Sequence, residues 1–215
     1  MSRGNPARPS VPENRPRRRR ISEMVYNNIG RWMLAVIVSV AFAVMPASAQ
    51  TYQIDPVHTS LIFRVKHMNT AYIYGRFNQV TGTIVVDERN PARSSVNIEV
   101  DANSVYTANE QRDNHLRSPD FFNTRQFPTI RFTSTEVRRV NANTLQVKGN
   151  LTMHGVTRPI TVNVLLTGKG RNPQGKEIIG FETTFTVRRS EFGMRYGLPG
   201  LGDEVRVTLS VEAFR

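Results

Sequence analysis

The chain has 215 residues and no cysteine, which excludes disulfides, thiol catalysis and cysteine-based metal sites. Its formal charge is +12, but eight of the 29 basic and two of the 17 acidic residues precede Gln50, leaving +6 on the 166 residues from Gln50 onward. That length suits one domain with a substantial core. Along the chain the charge forms no basic stripe and shows no aromatic interleaving, so nucleic acid is not an expected partner.

Residues 1–49 read as an N-terminal extension and a cleaved signal peptide. From Trp32 to Met45 no residue is charged and nearly all are apolar; Arg31 precedes the run and Pro46 breaks it. Ala47-Ser48-Ala49 then supplies small residues for signal peptidase, so cleavage is expected after Ala49. A membrane anchor would need about twenty apolar residues, more than this run offers. Upstream, Arg17-Arg18-Arg19-Arg20 resembles neither a well-placed twin-arginine signal nor a folded basic arm. Met24 lies just ahead of a signal of ordinary size, so translation starts at either Met1 or Met24.

Residues 50–215 then alternate with period two, the mark of half-buried strands. Leu61, Phe63 and Val65 oppose Arg64 and Lys66, and Gly82, Ile84 and Val86 follow Phe77. Val96, Ile98, Val100 and Ala102 oppose Asn97, Glu99 and Asp101. Asn109 to Arg117 reads as the one short helix, stopped by Ser118-Pro119. Further rows are Ile130 and Phe132; Leu145, Val147, Leu151 and Met153; Ile160 to Leu166; Ile179 to Val187; and Val205 to Ala213. His154-Gly155 reads as a tight turn. About eight strands with short links favour an antiparallel sheet, closed as a barrel or folded as a sandwich.

Six phrases in this order resemble the YceI-like family, also described as polyisoprenoid-binding proteins. They are Tyr52-x-Ile54-Asp55-x-x-His58-x-Ser60; His67 with Gly75-x-Phe77; Arg112-Asp113-x-His115-Leu116-x-Ser118-x-x-Phe121-Phe122; Phe127-Pro128-x-Ile130-x-Phe132-x-Ser134; Gly149-x-Leu151-Thr152-x-His154-Gly155-Val156-Thr157-x-Pro159; and Arg189-Ser190-x-Phe192-Gly193-Met194. The resemblance implies an all-β fold: a single antiparallel eight-stranded lipocalin-like barrel with one short helix. It also implies a periplasmic protein carrying an isoprenoid or quinone-like lipid in the barrel, with no cofactor required for chemistry. The expected partner is thus a long apolar small molecule, with no membrane span after signal cleavage. A homodimer is left open.

Cavity candidates are Phe63, Phe77, Phe121, Phe122, Phe127, Phe132, Met153, Phe185, Phe192 and Met194, any of which could instead be core, since an eight-stranded barrel can fill itself with side chains. Phe121, Phe122 and Phe127 lead, because they follow the helix in a segment placed to cover an opening. Arg112, Asp113 and His115 are head-group or structural candidates; the preferred reading has Arg112 and Asp113 anchoring the helix. No catalytic residue is assigned, as neither Ser118 nor Ser134 sits in a nucleophile elbow. No metal site is assigned either, since His58, His67, His115 and His154 lack close ligand spacing.

Overall fold

The computed structural model describes residues 49–215; the leader, with its expected signal and cleavage motif, lies almost entirely outside the described residues. Eleven strands occur among the described residues: β1 (Gln50–Ile54), β2 (Ser60–His67), β3 (Ala71–Phe77), β4 (Val80–Val86), β5 (Ser95–Asp101), β6 (Val105–Tyr106), β7 (Thr129–Arg139), β8 (Thr144–Met153), β9 (Val156–Arg171), β10 (Glu177–Arg188) and β11 (Leu201–Phe214). The α-helix, α1, spans Glu110–Arg117. No helix among them is long and apolar enough to cross a membrane.

All pairings are antiparallel, and the sheet closes as an eight-stranded lipocalin-like barrel with additional strands and one helix. The difference between eight and eleven arises because three staves are broken. β11 pairs through Leu201–Ser210 with β2 and through Ala213–Phe214 with β1, so β1 and β2 occupy one stave in succession. β4 pairs with β1 while β3 pairs with β2, and β5 pairs with β4 while β6 pairs with β3. Three pairs of short strands thus stand beside five long ones.

Two of these breaks face each other and are joined by backbone hydrogen bonds. Asn78 N–H donates to the Ser104 carbonyl at 3.1 Å, and Asp101 N–H donates to the Gln79 carbonyl at 3.1 Å. The Asp101 carboxylate also accepts from Asn103 N–H at 2.9 Å, holding the 3-10 turn Ala102–Ser104. At the β8–β9 link, His154 (φ +52°) and Gly155 (φ +73°) are both left-handed, the geometry of a two-residue hairpin turn.

The helix is fixed by its N-terminus. The Asn109 side chain caps it by accepting from Arg112 N–H at 2.9 Å. Asp113, buried, accepts from both the N–H (2.8 Å) and the hydroxyl (2.5 Å) of Thr107. Arg112 donates to the Thr107 hydroxyl and carbonyl, each at 2.7 Å, and Arg117 donates to the Asn103 and Val105 carbonyls. These charge-assisted bonds tie α1 to the end of β6.

Candidate functional site

The inward rows of the barrel do not meet in the middle. They surround a cavity of about 230 Å³ whose wall is almost entirely aliphatic and aromatic. It extends from Leu116, Phe121 and Phe122, beneath α1, to Val85, Val86 and Val96 at the far ends of β4 and β5. Mid-strand residues such as Phe63, Val205 and Val207 are only partly buried, although they point inward, because the void lies in front of them.

Eight of the ten aromatic and methionine candidates line this cavity: Phe63, Phe77, Phe121, Phe122, Phe132, Met153, Phe185 and Met194. Phe77 bridges two others, with ring centroids 5.7 Å from Phe63 and 5.4 Å from Phe122. Two glycines seat rings by close approach: a Cβ on Gly75 would lie 2.3 Å from the Phe63 ring, and one on Gly149 would lie 2.5 Å from that of Phe132. The aliphatic wall, including Ile98, Val137 and Val164, was not among the named cavity candidates, although the period-two spacing of these strands carried the signal; Leu116 joins it from α1.

Phe127 and Phe192 do not line the cavity. Phe127 turns away to stack edge-on against His154 at 5.1 Å and to cover Gly155. Phe192, 1% exposed, is packed core, and its carbonyl lies 2.9 Å from His154 Nδ1. Both are engaged by the β8–β9 turn.

The polar candidates are likewise committed. Arg112 and Asp113 bind Thr107, as described. His115 lies outside, with Nε2 2.9 Å from the Asp120 carboxylate and its ring edge-on to Phe121 (5.0 Å) and Tyr196 (4.8 Å). Arg189, almost fully buried, donates to four carbonyls, those of Met194, Tyr196, Leu201 and Gly202, and so gathers the β10–β11 connection. Next to it, Asp203 accepts from Ser190 N–H and Oγ; burial raises its pKa, but these bonds and nearby Arg189 and Arg188 carry the balance below the ordinary carboxylate value.

Two groupings were invisible along the chain. Asp55, His58 and Glu212 bring potential ligand atoms within 4.8 Å of one another, with His58 Nδ1 2.8 Å from Asp55 Oδ2 and 3.7 Å from Glu212 Oε1. Strand pairing also interleaves aromatic and basic side chains on the outer face of β2, β3 and β6, correcting the expectation of no such pattern.

A family model described as the YceI-like domain matches residues 52–213. A UPF0312 protein of Pseudomonas aeruginosa is 40% identical over 179 residues, covering 82% of this chain and 93% of that protein. The crystal structure of a Campylobacter jejuni YCEI protein superposes with a TM-score of 0.63 at 28% identity, covering 70% of this chain and 89% of that one. A polyisoprenoid binding domain from Saccharophagus degradans, implicated in plant cell wall breakdown, shares the fold with a TM-score of 0.58 at 16% identity, over 76% of this chain and 97% of that one.

Proposed function

We propose that this chain, which belongs to the YceI-like domain family, is an exported carrier or reservoir for one long apolar molecule, an isoprenoid or quinone-tailed lipid held inside the barrel. Its function is binding rather than catalysis. One observation carries the reading: the inward rows face a continuous apolar cavity instead of packing against one another.

The energetics suit such a cargo. Each methylene withdrawn from water contributes about 0.8 kcal/mol, so ten carbons supply about 8 kcal/mol before ordering costs are subtracted. The eight aromatic and methionine side chains of the wall touch the chain of the cargo. Arg112 and Asp113 serve to anchor the helix rather than to read the head group, since Arg112 Nε and Nη2 and Asp113 Oδ1 are all engaged by Thr107.

Export follows from the leader. β1 begins at Gln50, so cleavage after Ala49 leaves every strand whole and delivers the barrel to the periplasm. Intact-mass measurement of protein from the envelope fraction is expected to show a chain starting at Gln50; a chain retaining 32–45 would make that segment an anchor.

The deciding experiment is organic extraction and mass spectrometry of gently purified protein from its own host. A long-chain lipid at near-stoichiometric yield is expected. A lipid-free extract from protein that also fails to take up added polyprenol or quinone would overturn the carrier reading.

A further inference from the structure

Three tyrosines stand exposed on the outer wall of the broken staves: Tyr72 (49%), Tyr74 (56%) and Tyr106 (49%). Pairing sets Lys66 opposite Tyr72, Arg64 opposite Tyr74, and Arg76 opposite Tyr106, while Arg206 of β11 adjoins Arg64. Exposed Ile62 completes the face. β2, β3 and β6 contain no acidic residue, and among the described residues Arg64, Lys66, Arg76 and Arg206 make no ion pair.

This face runs into an apolar rim. Met68, 63% exposed at the β2–β3 tip, donates its N–H to the Gly200 carbonyl, and Leu198 and Tyr196 are exposed in the same 195–200 loop. Tyr196 stacks on Phe121 at 5.4 Å, and Phe121 lines the cavity. The patch and the helix-capped end of the cavity are therefore one continuous region.

We propose that the outer face of β2, β3 and β6, with the 195–200 loop, docks on an anionic phospholipid bilayer and so sets the helix-capped end of the cavity against the lipid. Unpaired cations supply attraction to anionic head groups. Tyrosine rings, apolar in body and polar at the tip, suit the interfacial layer, and Met68 and Leu198 suit the acyl boundary beneath it. A single-stranded nucleic acid would need free ring faces for stacking, yet the Arg64 guanidinium already covers Tyr72 at 4.3 Å. The inference deepens the carrier reading and rests on it for its purpose, since a lipid carrier must meet a membrane to load or unload.

The test is flotation of the purified protein with vesicles of phosphatidylcholine alone and of phosphatidylcholine mixed with phosphatidylglycerol. Binding to the mixed vesicles is expected to exceed binding to phosphatidylcholine by roughly tenfold or more and to fall with added salt. R76E/R206E should reduce it by roughly tenfold, and Y72S/Y74S should weaken the part that survives high salt. R138E/K148E, on β7 and β8 across the barrel, should leave it unchanged, and circular dichroism checks that each variant folds. Equal binding to both vesicle types, equal loss in the β7–β8 control, or tighter binding of a single-stranded oligonucleotide than of the mixed vesicles would overturn the docking face. Lipid content read by extraction reports on the carrier reading alone: a non-docking protein that still holds lipid sinks only the membrane face.

Discussion

The two ends of β11 share one alternating pattern and meet opposite environments. At its C-terminal end Val211 and Ala213 join Tyr52, Ile54, Ile84, Ile179 and Phe181 in a cluster where every member is buried, and only Ile84, Phe181 and Val211 border the cavity. Toward its start Val205, Val207 and Leu209 point the same way and face the void. Alternation therefore tells which side of the wall a residue occupies, and says nothing of what stands across from it. β1 packs Tyr52 and Ile54 into the core at that closed end, whereas β2 carries Phe63 along the cavity wall.

The contrast is sharpest under truncation. Ile179→Ala at the closed end should cost about 2–5 kcal/mol, a lost transfer energy plus a new cavity in close-packed surroundings. Val207→Ala in the cavity wall should cost about 1 kcal/mol or less, because no tight packing is broken there. Urea melts of the lipid-free proteins measure both. Equal losses would mean that the wall is packed as tightly as the floor.

Of the side chains that hold the helix over the open-cored half, Asp113 is the buried one. Asp113→Ala strands the Thr107 N–H and hydroxyl together, at a cost of about 1–3 kcal/mol. Amide exchange should rise in α1 and 118–127 while β10 and the end of β11 stay protected. Uniform exposure of the whole barrel would show that the two halves are not separable.

Enlargement keeps the order of the two ends in stability and separates them by lipid uptake. Leu209→Trp, projecting into the void, should change stability by less than about 1 kcal/mol while lowering lipid uptake by roughly tenfold. Ala213→Leu, with no exposed surface to start from, should destabilise by about 1–3 kcal/mol through overpacking and leave uptake intact. A fluorescent polyprenol titration and a melt of each variant would settle the pair.

Much of this was legible in the sequence, including one feature read past. The helix, the His154-Gly155 turn and the inward rows follow directly from period and turn chemistry. The broken staves also leave a trace, because inward residues change parity at each break: Tyr52 and Ile54 are even but Leu61 and Phe63 odd, Phe77 odd but Val80 and Ile84 even, Val100 even but Val105 odd. Whether the interior is filled was not legible, because it depends on distances across the barrel. Nor was the fate of Phe127, whose ring is drawn to His154 by a turn that follows two strands later. The tyrosine–arginine face escaped for a similar reason, since its members alternate along each strand and become neighbours only through register.

The smallest expected effect tests the closed end from outside. Asp55 and His58 lie in the link between β1 and β2, and Glu212 sits between the buried Val211 and Ala213. The hydrogen bond to the Asp55 carboxylate, and then its charge, raise the His58 pKa above its ordinary 6.5, while the same hydrogen bond contributes most to lowering Asp55 below 3.8. A raised histidine stabilises fully below 6.5 and loses that contribution as pH rises through its folded value; a lowered carboxylate stabilises above 3.8 and loses it as pH falls through its folded value. The pair is thus at full strength between those two ordinary values. His58→Gln should lower Tm slightly in that window and by less at alkaline pH, a small effect because the imidazole is exposed and water screens it. If the trio instead holds a metal, the signature inverts: ligation needs neutral imidazole, so the contribution would grow as pH rises and vanish with a chelator. Melts of the two proteins across pH, with and without chelator, separate the ion pair from the metal by the sign of the slope.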